Sequence, residues 1–233
     1  MPSNPICVAL DTPDLDRAVS LARSLKAHAG YMKVGMEFFY AHGIPGYVKV
    51  AEQGLPIFLD LKLHDIPNTV ASAMKSLMRL DPMPAIVNVH ATGGLDMMKA
   101  SADAVAGRSR LIAVTILTSL SDDDIWAAGF ETAKDTQAHA RALADLTQRA
   151  GLDGVVCSPH DLVGIRHDLG RDFLTVVPGI RPADASTQDQ KRVATPETAM
   201  ADGADILVIG RAITGAADPV RAAEQILAGL HAG

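Results

Sequence analysis

The chain has 233 residues, 48% of them apolar but only 4% aromatic, and a formal net charge of −6. That length fits one α/β barrel or one large doubly wound sheet and leaves two independent domains cramped. The acidic balance argues against nucleic acid or a membrane surface as the main partner, since both require an exposed basic face.

In chain order, the N-terminal MPSNPICVALD enters a strand-like segment at once. It has no basic stretch followed by an apolar one, so no secretory signal is expected, and no later run approaches the length of a membrane span. Eight short apolar runs follow, at residues 6–10, 31–34, 57–61, 85–89, 111–117, 154–157, 174–177 and 206–209. Most are apolar on both faces, as buried parallel strands are. Helical periodicity fills the gaps. Leu15, Ala18, Val19, Ala22 and Leu25 follow an i, i+3, i+4 spacing, as do Ala138, Ala142, Leu143 and Leu146. Asp14, Asn68, Asp96 and Asp218 stand where N-caps or first-turn residues belong, and Pro219 suits the first turn of the last helix. No GxGxxG or Walker A motif occurs. Eight β-then-α units without a long linker predict an α/β fold closed as one (β/α)8 barrel of the TIM type over residues 1–233. Cys7 and Cys157 lie inside apolar runs and read as reduced core thiols of a cytoplasmic protein.

In such a barrel the site lies at the C-terminal strand ends. Those ends carry Asp11, Lys33, Asp60 with Lys62 and Asp65, His90, Thr118 with Ser119, Arg181, and Gly210 with Arg211. Strand alternation predicts that Asp60 and Lys62 share one side while Leu61 packs against the helices. An isolated pair of this kind could serve as a barrel salt bridge. With Lys33 and Asp65 it becomes an alternating array in which every charge is flanked by opposite charges, keeping Lys62 protonated and the carboxylates ionised.

The segment DLKLHDIPNT at 60–69 resembles the signature of the orotidine 5'-phosphate decarboxylases. The resemblance spans the chain: ALD at 9–11, MKVG at 32–35, HATGG at 90–94, TILTS at 115–119, PGIR at 178–181, DQKRVATP at 189–196 and VIGRAIT at 208–214. It implies a homodimeric carboxy-lyase that forms uridine 5'-phosphate, the last step of de novo pyrimidine nucleotide synthesis, without metal or organic cofactor. Position by position, it implies that Asp11 and Lys33 hold the ribose hydroxyls and that Asp60 sits beside the substrate carboxylate. Lys62 would donate the proton. Asp65, Ile66 and Thr69 would reach the partner subunit's site. Thr118 would meet the pyrimidine edge, and Arg181, Gln190, Gly210 and Arg211 would hold the 5'-phosphate.

The residue types suit that chemistry. Loss of CO2 from an sp2 ring carbon leaves an undelocalised carbanion in the ring plane, which an ammonium can both stabilise and protonate. Loops after strands 7 and 8 are a recurrent anion site in this fold, and the polar stretch 181–192 reads as a lid. Other polar residues have plainer explanations. His90 reads as a structural hydrogen-bonding residue, Cys157-Ser158-Pro159-His160 as a strand-to-helix turn, the acids at 122–124 as a helix start, and Trp126 as packing. Two alternatives remain. A magnesium-dependent phosphosugar decarboxylase would place a carboxylate where this chain has Lys33, and an ammonium there opposes a divalent cation. A non-catalytic phosphate-binding barrel would keep Gly210 and Arg211 but has no use for the alternating charges.

Overall fold

In the computed structural model, residues 4–182 and 193–232 are described. Eight parallel strands close into a barrel in sequence order: β1 (Ile6–Ala9), β2 (Tyr31–Gly35), β3 (Ile57–Leu63), β4 (Ile86–His90), β5 (Arg110–Val114), β6 (Gly154–Val156), β7 (Leu174–Val177) and β8 (Ile206–Ile209). The flanking helices are α1 (Leu15–Ser24), α2 (Met36–Ala51), α3 (Pro67–Leu77), α4 (Leu95–Val105), α5 (Asp122–Ala127), α6 (Thr136–Arg149), α7 (Leu162–Leu169), α8 (Pro196–Ala201), α9 (Arg211–Thr214) and α10 (Pro219–Ala232). Asp14 caps α1, its carboxylate accepting from the Arg17 N–H, and Asp218 accepts likewise from Arg221 at the start of α10. Asn68 and Asp96 fall inside the first turns of α3 and α4, whose N-caps are Ile66 and Gly94.

Alternation along the strands divides the core in two. Ile6 and Val8, Val34, Leu59 and Val87 pack outward with the helices, whereas Cys7, Tyr31, Phe58, Ile86, Ile112 and Leu174 form the barrel interior. The inward rows of β1 to β4 begin apolar and turn polar towards their C-terminal ends: Cys7, Ala9, Asp11; Tyr31, Lys33; Phe58, Asp60; Ile86, Asn88, His90. This gradient places charge at one mouth and closes the other with hydrocarbon.

Two expectations are corrected. β5 ends at Val114 rather than at residue 117, because β6 has only three residues to pair with. Both the amide and the hydroxyl of Thr115 bond to the Val156 carbonyl, and the paired register of β5 and β6 ends at Val114 and Val156. In β3, simple alternation breaks down before Lys62. Between Leu59 and Leu63 the strand advances four residues while β4 advances two, from Val87 to Val89. Lys62 adopts φ = 52°, the left-handed region that side chains rarely visit. Asp60 and Lys62 do share the cavity side, and Leu61 packs in the helix-side core, as expected; the bulge, not a period of two, brings the lysine there.

Among the described residues, no helix is long and apolar enough to cross a membrane. Cys7 and Cys157 are free and buried. The acids at 122–124 form the first turn of α5 after Ser121, as expected. Trp126 packs beside Ile125 while donating its indole N–H to the Lys134 carbonyl. Cys157 and Ser158 lead through a short 3-10 turn (Pro159–Asp161) into α7, and the Asp161 carboxylate accepts from the Ser158 N–H.

Candidate active site

The C-terminal mouth opens into a cavity of about 550 Å3, a size that suits a small-molecule ligand. One wall carries Asp11, Lys33, Asp60 and Lys62, from the ends of β1, β2 and β3. A second part of the lining comes from the segments after β7 and β8, the latter strand paired with β1, and presents Gly179, Arg181, Gly210 and Arg211. Thr118, after β5, lines the cavity between them.

The charged wall is a continuous chain of contacts. The Lys33 ammonium donates to Asp11 Oδ1 at 2.8 Å and lies 3.3 Å from Asp60 Oδ2. The Lys62 ammonium donates to the other Asp60 oxygen, Oδ1, at 2.7 Å. Lys33 and Asp60 are only 7% and 6% exposed, so their charges interact through protein more than through water. Burial alone would discharge Lys33, but the carboxylates of Asp60 and Asp11 outweigh it and hold its pKa above the ordinary lysine value. Burial likewise opposes the Asp60 charge. The Lys33 and Lys62 ammoniums, helped by hydrogen bonds from Lys62 and Asn88, overcome it and hold that carboxyl below its ordinary range. Both groups are therefore ionised at neutral pH.

Backbone shape makes room for this wall. A Cβ on Gly35 would lie 2.8 Å from Asp11 Oδ1 and 2.9 Å from Lys33 Nζ, so a side chain there would displace the ends of both from their present contact. Gly179 turns the chain out of β7 at φ = 78°, the conformation that glycine adopts without a steric penalty.

Most of the expected residues converge here, with exceptions. Asp65, Ile66 and Thr69 do not line the chain's own cavity; all three are exposed, Ile66 at 67%. The fourth member of the charge array within the chain is thus Asp11, not Asp65, whose carboxylate instead accepts from the Ile66 N–H at 2.7 Å. The reason is local: β3 ends at Leu63, and the following turn carries the chain away from the mouth into α3. Gln190 and residues 183–192 of the stretch read as a lid lie outside the described residues. His90 sits at the rim with its ring 5.5 Å from that of His64. Its pKa is lowered, first by burial and then by the neighbouring His64 and Lys62, which suits a neutral hydrogen-bonding residue.

Two residues of the site were not anticipated. Glu37, in the first turn of α2, lines the cavity. Asn88, 1% exposed in β4, donates from Nδ2 to Asp60 Oδ1 at 2.7 Å and accepts the Lys62 N–H on Oδ1 at 2.8 Å. It is the one polar residue inside the apolar run AIVNV, and that was its visible signal.

Fold and cavity define a (β/α)8 barrel protein whose site joins a buried lysine–carboxylate array to a wall carrying two arginines. Residues 4–226 match the family described as orotidine 5'-phosphate decarboxylase / HUMPS, and the chain belongs to that family. It is 53% identical over 228 residues to an orotidine 5'-phosphate decarboxylase of Novosphingobium aromaticivorans, covering 98% of this chain and 100% of that one. A protein of the same name from Rhodospirillum rubrum is 50% identical over 235 residues, covering 97% and 94%. Among solved structures, the orotidine 5'-phosphate decarboxylase of Lactobacillus acidophilus superposes with a TM-score of 0.84 at 37% identity, covering 98% of this chain and 99% of that one.

Proposed function

We propose that this chain converts orotidine 5'-phosphate to uridine 5'-phosphate and CO2, and that it does so without metal or organic cofactor. The observation that carries the proposal is the run Asp11–Lys33–Asp60–Lys62, buried at Lys33 and Asp60, which shares one cavity with Arg181 and Arg211. Such a cavity suits an anionic ligand with a phosphate at one end and a reacting ring at the other. Arg181, Gly210 and Arg211 hold the phosphate in this assignment, with Gln190 joining them. Asp11 and Lys33 take the ribose hydroxyls, and Thr118 takes the pyrimidine edge.

The reacting bond lies at the Asp60–Lys62 end. As the ring carbon–carboxylate bond breaks, its electron pair stays on the ring carbon and CO2 departs neutral. The Lys62 ammonium stabilises that pair and then gives it a proton, leaving an amine that is reprotonated from water. Asp60 repels the substrate carboxylate, and the repulsion disappears as CO2 forms. The phosphate, remote from the chemistry, supplies binding energy that holds this like-charged arrangement together.

The magnesium-dependent alternative needs a carboxylate where β2 presents Lys33, and an ammonium wedged between Asp11 and Asp60 repels a divalent cation from that position. The deciding experiment follows the absorbance of orotidine 5'-phosphate with purified protein in excess chelator. Turnover in chelator is expected; activity that vanishes and returns with magnesium refutes the metal-free reading.

We further propose a two-fold homodimer in which Asp65, Ile66 and Thr69 enter the partner subunit's site. Their exposure and their place directly after the C-terminal end of β3 support this. The apolar character of α3 does not, because Val70 and Met74 are buried against the chain's own barrel. The free buried thiols fit a reducing compartment, and the proposed location is the cytoplasm.

A further inference from the structure

We propose that Asn88 is a positioning residue of the site: its side-chain amide holds the Asp60 carboxylate with one end and the backbone carrying Lys62 with the other. The kinetic consequence rests on the function proposed above; the geometry does not.

Asn88 stands in β4 opposite the bulge of β3. The extra residues of that bulge cannot all pair with β4, because β4 supplies a single residue, Asn88, between Val87 and Val89. Its side chain takes over as the pairing partner. The Lys62 N–H, turned off the ladder by the left-handed backbone, finds an acceptor in Asn88 Oδ1 at 2.8 Å. Asn88 Nδ2 in turn donates to Asp60 Oδ1 at 2.7 Å, the same oxygen that receives the Lys62 ammonium. The two partners fix the amide's orientation, since an N–H needs an acceptor and a carboxylate needs a donor. No other side chain of this length offers both from one planar group. Aspartate has no donor when ionised, and leucine of the same shape has neither. A buried residue that bonds to both members of the reacting pair, one through its carboxylate and one through its backbone, sets their mutual geometry.

The consequence is readable apart from stability. Asp60 is faced by Lys33 from β2, Lys62 from its own strand, and Cys7 and His90 from β1 and β4, with Asp11 beyond Lys33. The Asn88 hydrogen bond is one of the contributions that favour its ionised form. Asn88→Ala removes that donor. Asn88→Asp keeps the shape and the acceptor for Lys62 but sets a second carboxylate against Asp60, and like charges so close raise the pKa of one of the two.

The experiment measures kcat, KM and their pH profiles for the wild type, Asn88→Ala and Asn88→Asp, alongside the titration of the Asp60 carboxyl carbon by 13C NMR. In both variants kcat is expected to fall by about 10- to 100-fold, as for a reacting group displaced by a fraction of an ångström, with KM within about threefold. The acid limb and the Asp60 titration should move up together, by about one pH unit in Asn88→Asp. Folded variants with wild-type kcat and an unmoved titration overturn the proposal. So does a loss of kcat that only tracks the folded fraction, and so does failure of both variants to fold, which would make Asn88 a folding residue. An inactive wild type would instead refute the proposed function, while the NMR titration still decides the role of Asn88.

Discussion

Replacing Lys33 with methionine tests whether the charged wall is a coupled array or a set of separate contacts. Methionine keeps the unbranched stem, so little packing is lost, while Asp60 keeps only Lys62 as its cation. At 3.3 Å and an effective dielectric near 20, the lost Lys33–Asp60 attraction is about 5 kcal/mol. Release of the buried lysine from its own desolvation offsets part of this, and breaking a buried pair on one side typically costs about 3–5 kcal/mol. The contact with Asp11 adds little, because that side chain is 53% exposed. A loss of about 3–5 kcal/mol corresponds to a fall in Tm of roughly 6–20 °C for a chain of this size. The gap should depend on pH with a definite sign. The Asp60 pKa is lowered by folding, so its contribution is present above its unfolded value and is lost as pH falls through the folded one. The Lys33 pKa is raised, so its contribution is present below its unfolded value and is lost as pH rises through the folded one. The wild type–variant difference is therefore flat between about pH 5 and 10 and narrows on both sides. Equilibrium unfolding in guanidinium at several pH values, at matched chain concentration, measures it. A loss below about 1 kcal/mol, or one indifferent to pH, would show that Lys33 is not the centre of a buried array.

Three further outcomes follow from the same geometry. Lys62→Ala should abolish turnover while leaving the barrel folded, since that side chain sits at the mouth with partial exposure; activity within about tenfold of wild type, only about 1.4 kcal/mol of barrier, removes it as proton donor. Arg211→Ala should weaken kcat/KM for orotidine 5'-phosphate far more than for orotidine, and equal losses would assign the residue to folding instead. Mixing inactive Lys62→Ala and Asp65→Ala subunits under exchange should restore about a quarter of wild-type activity: half the dimers are mixed, and each has one intact site. No recovery would mean that Asp65 serves its own chain.

The eight strands were legible because most of their residues are apolar on both faces, a pattern that burial between barrel interior and helices imposes. Strand ends were less so, since hydropathy does not report where the neighbouring strand stops. Ile116 and Leu117 extend the apolar pattern past the end of β5 at Val114, while β6 ends at Val156. The charged residues were found at the mouth by the strand-end rule, but their connections were not. Asp65 is near Lys62 in sequence and outside the cavity in space, whereas Asp11, more than fifty residues away, closes the array through Lys33.

Asn88 shows where reading by strand stops short. In sequence it is one polar residue in an apolar run, two positions after the inward-facing Ile86, so its parity already aimed it at the barrel axis. What it does there depends on a bulge in the neighbouring strand that alternation cannot foresee. A left-handed residue is disfavoured in a strand by about 1–3 kcal/mol and persists only where its surroundings over-determine it. Lys62 meets that condition twice, through its ammonium on Asp60 and its amide on Asn88. The same bulge that breaks the ladder frees the Lys62 N–H to be held by a side chain, and so ties the orientation of the proposed acid to that of the carboxylate beside it.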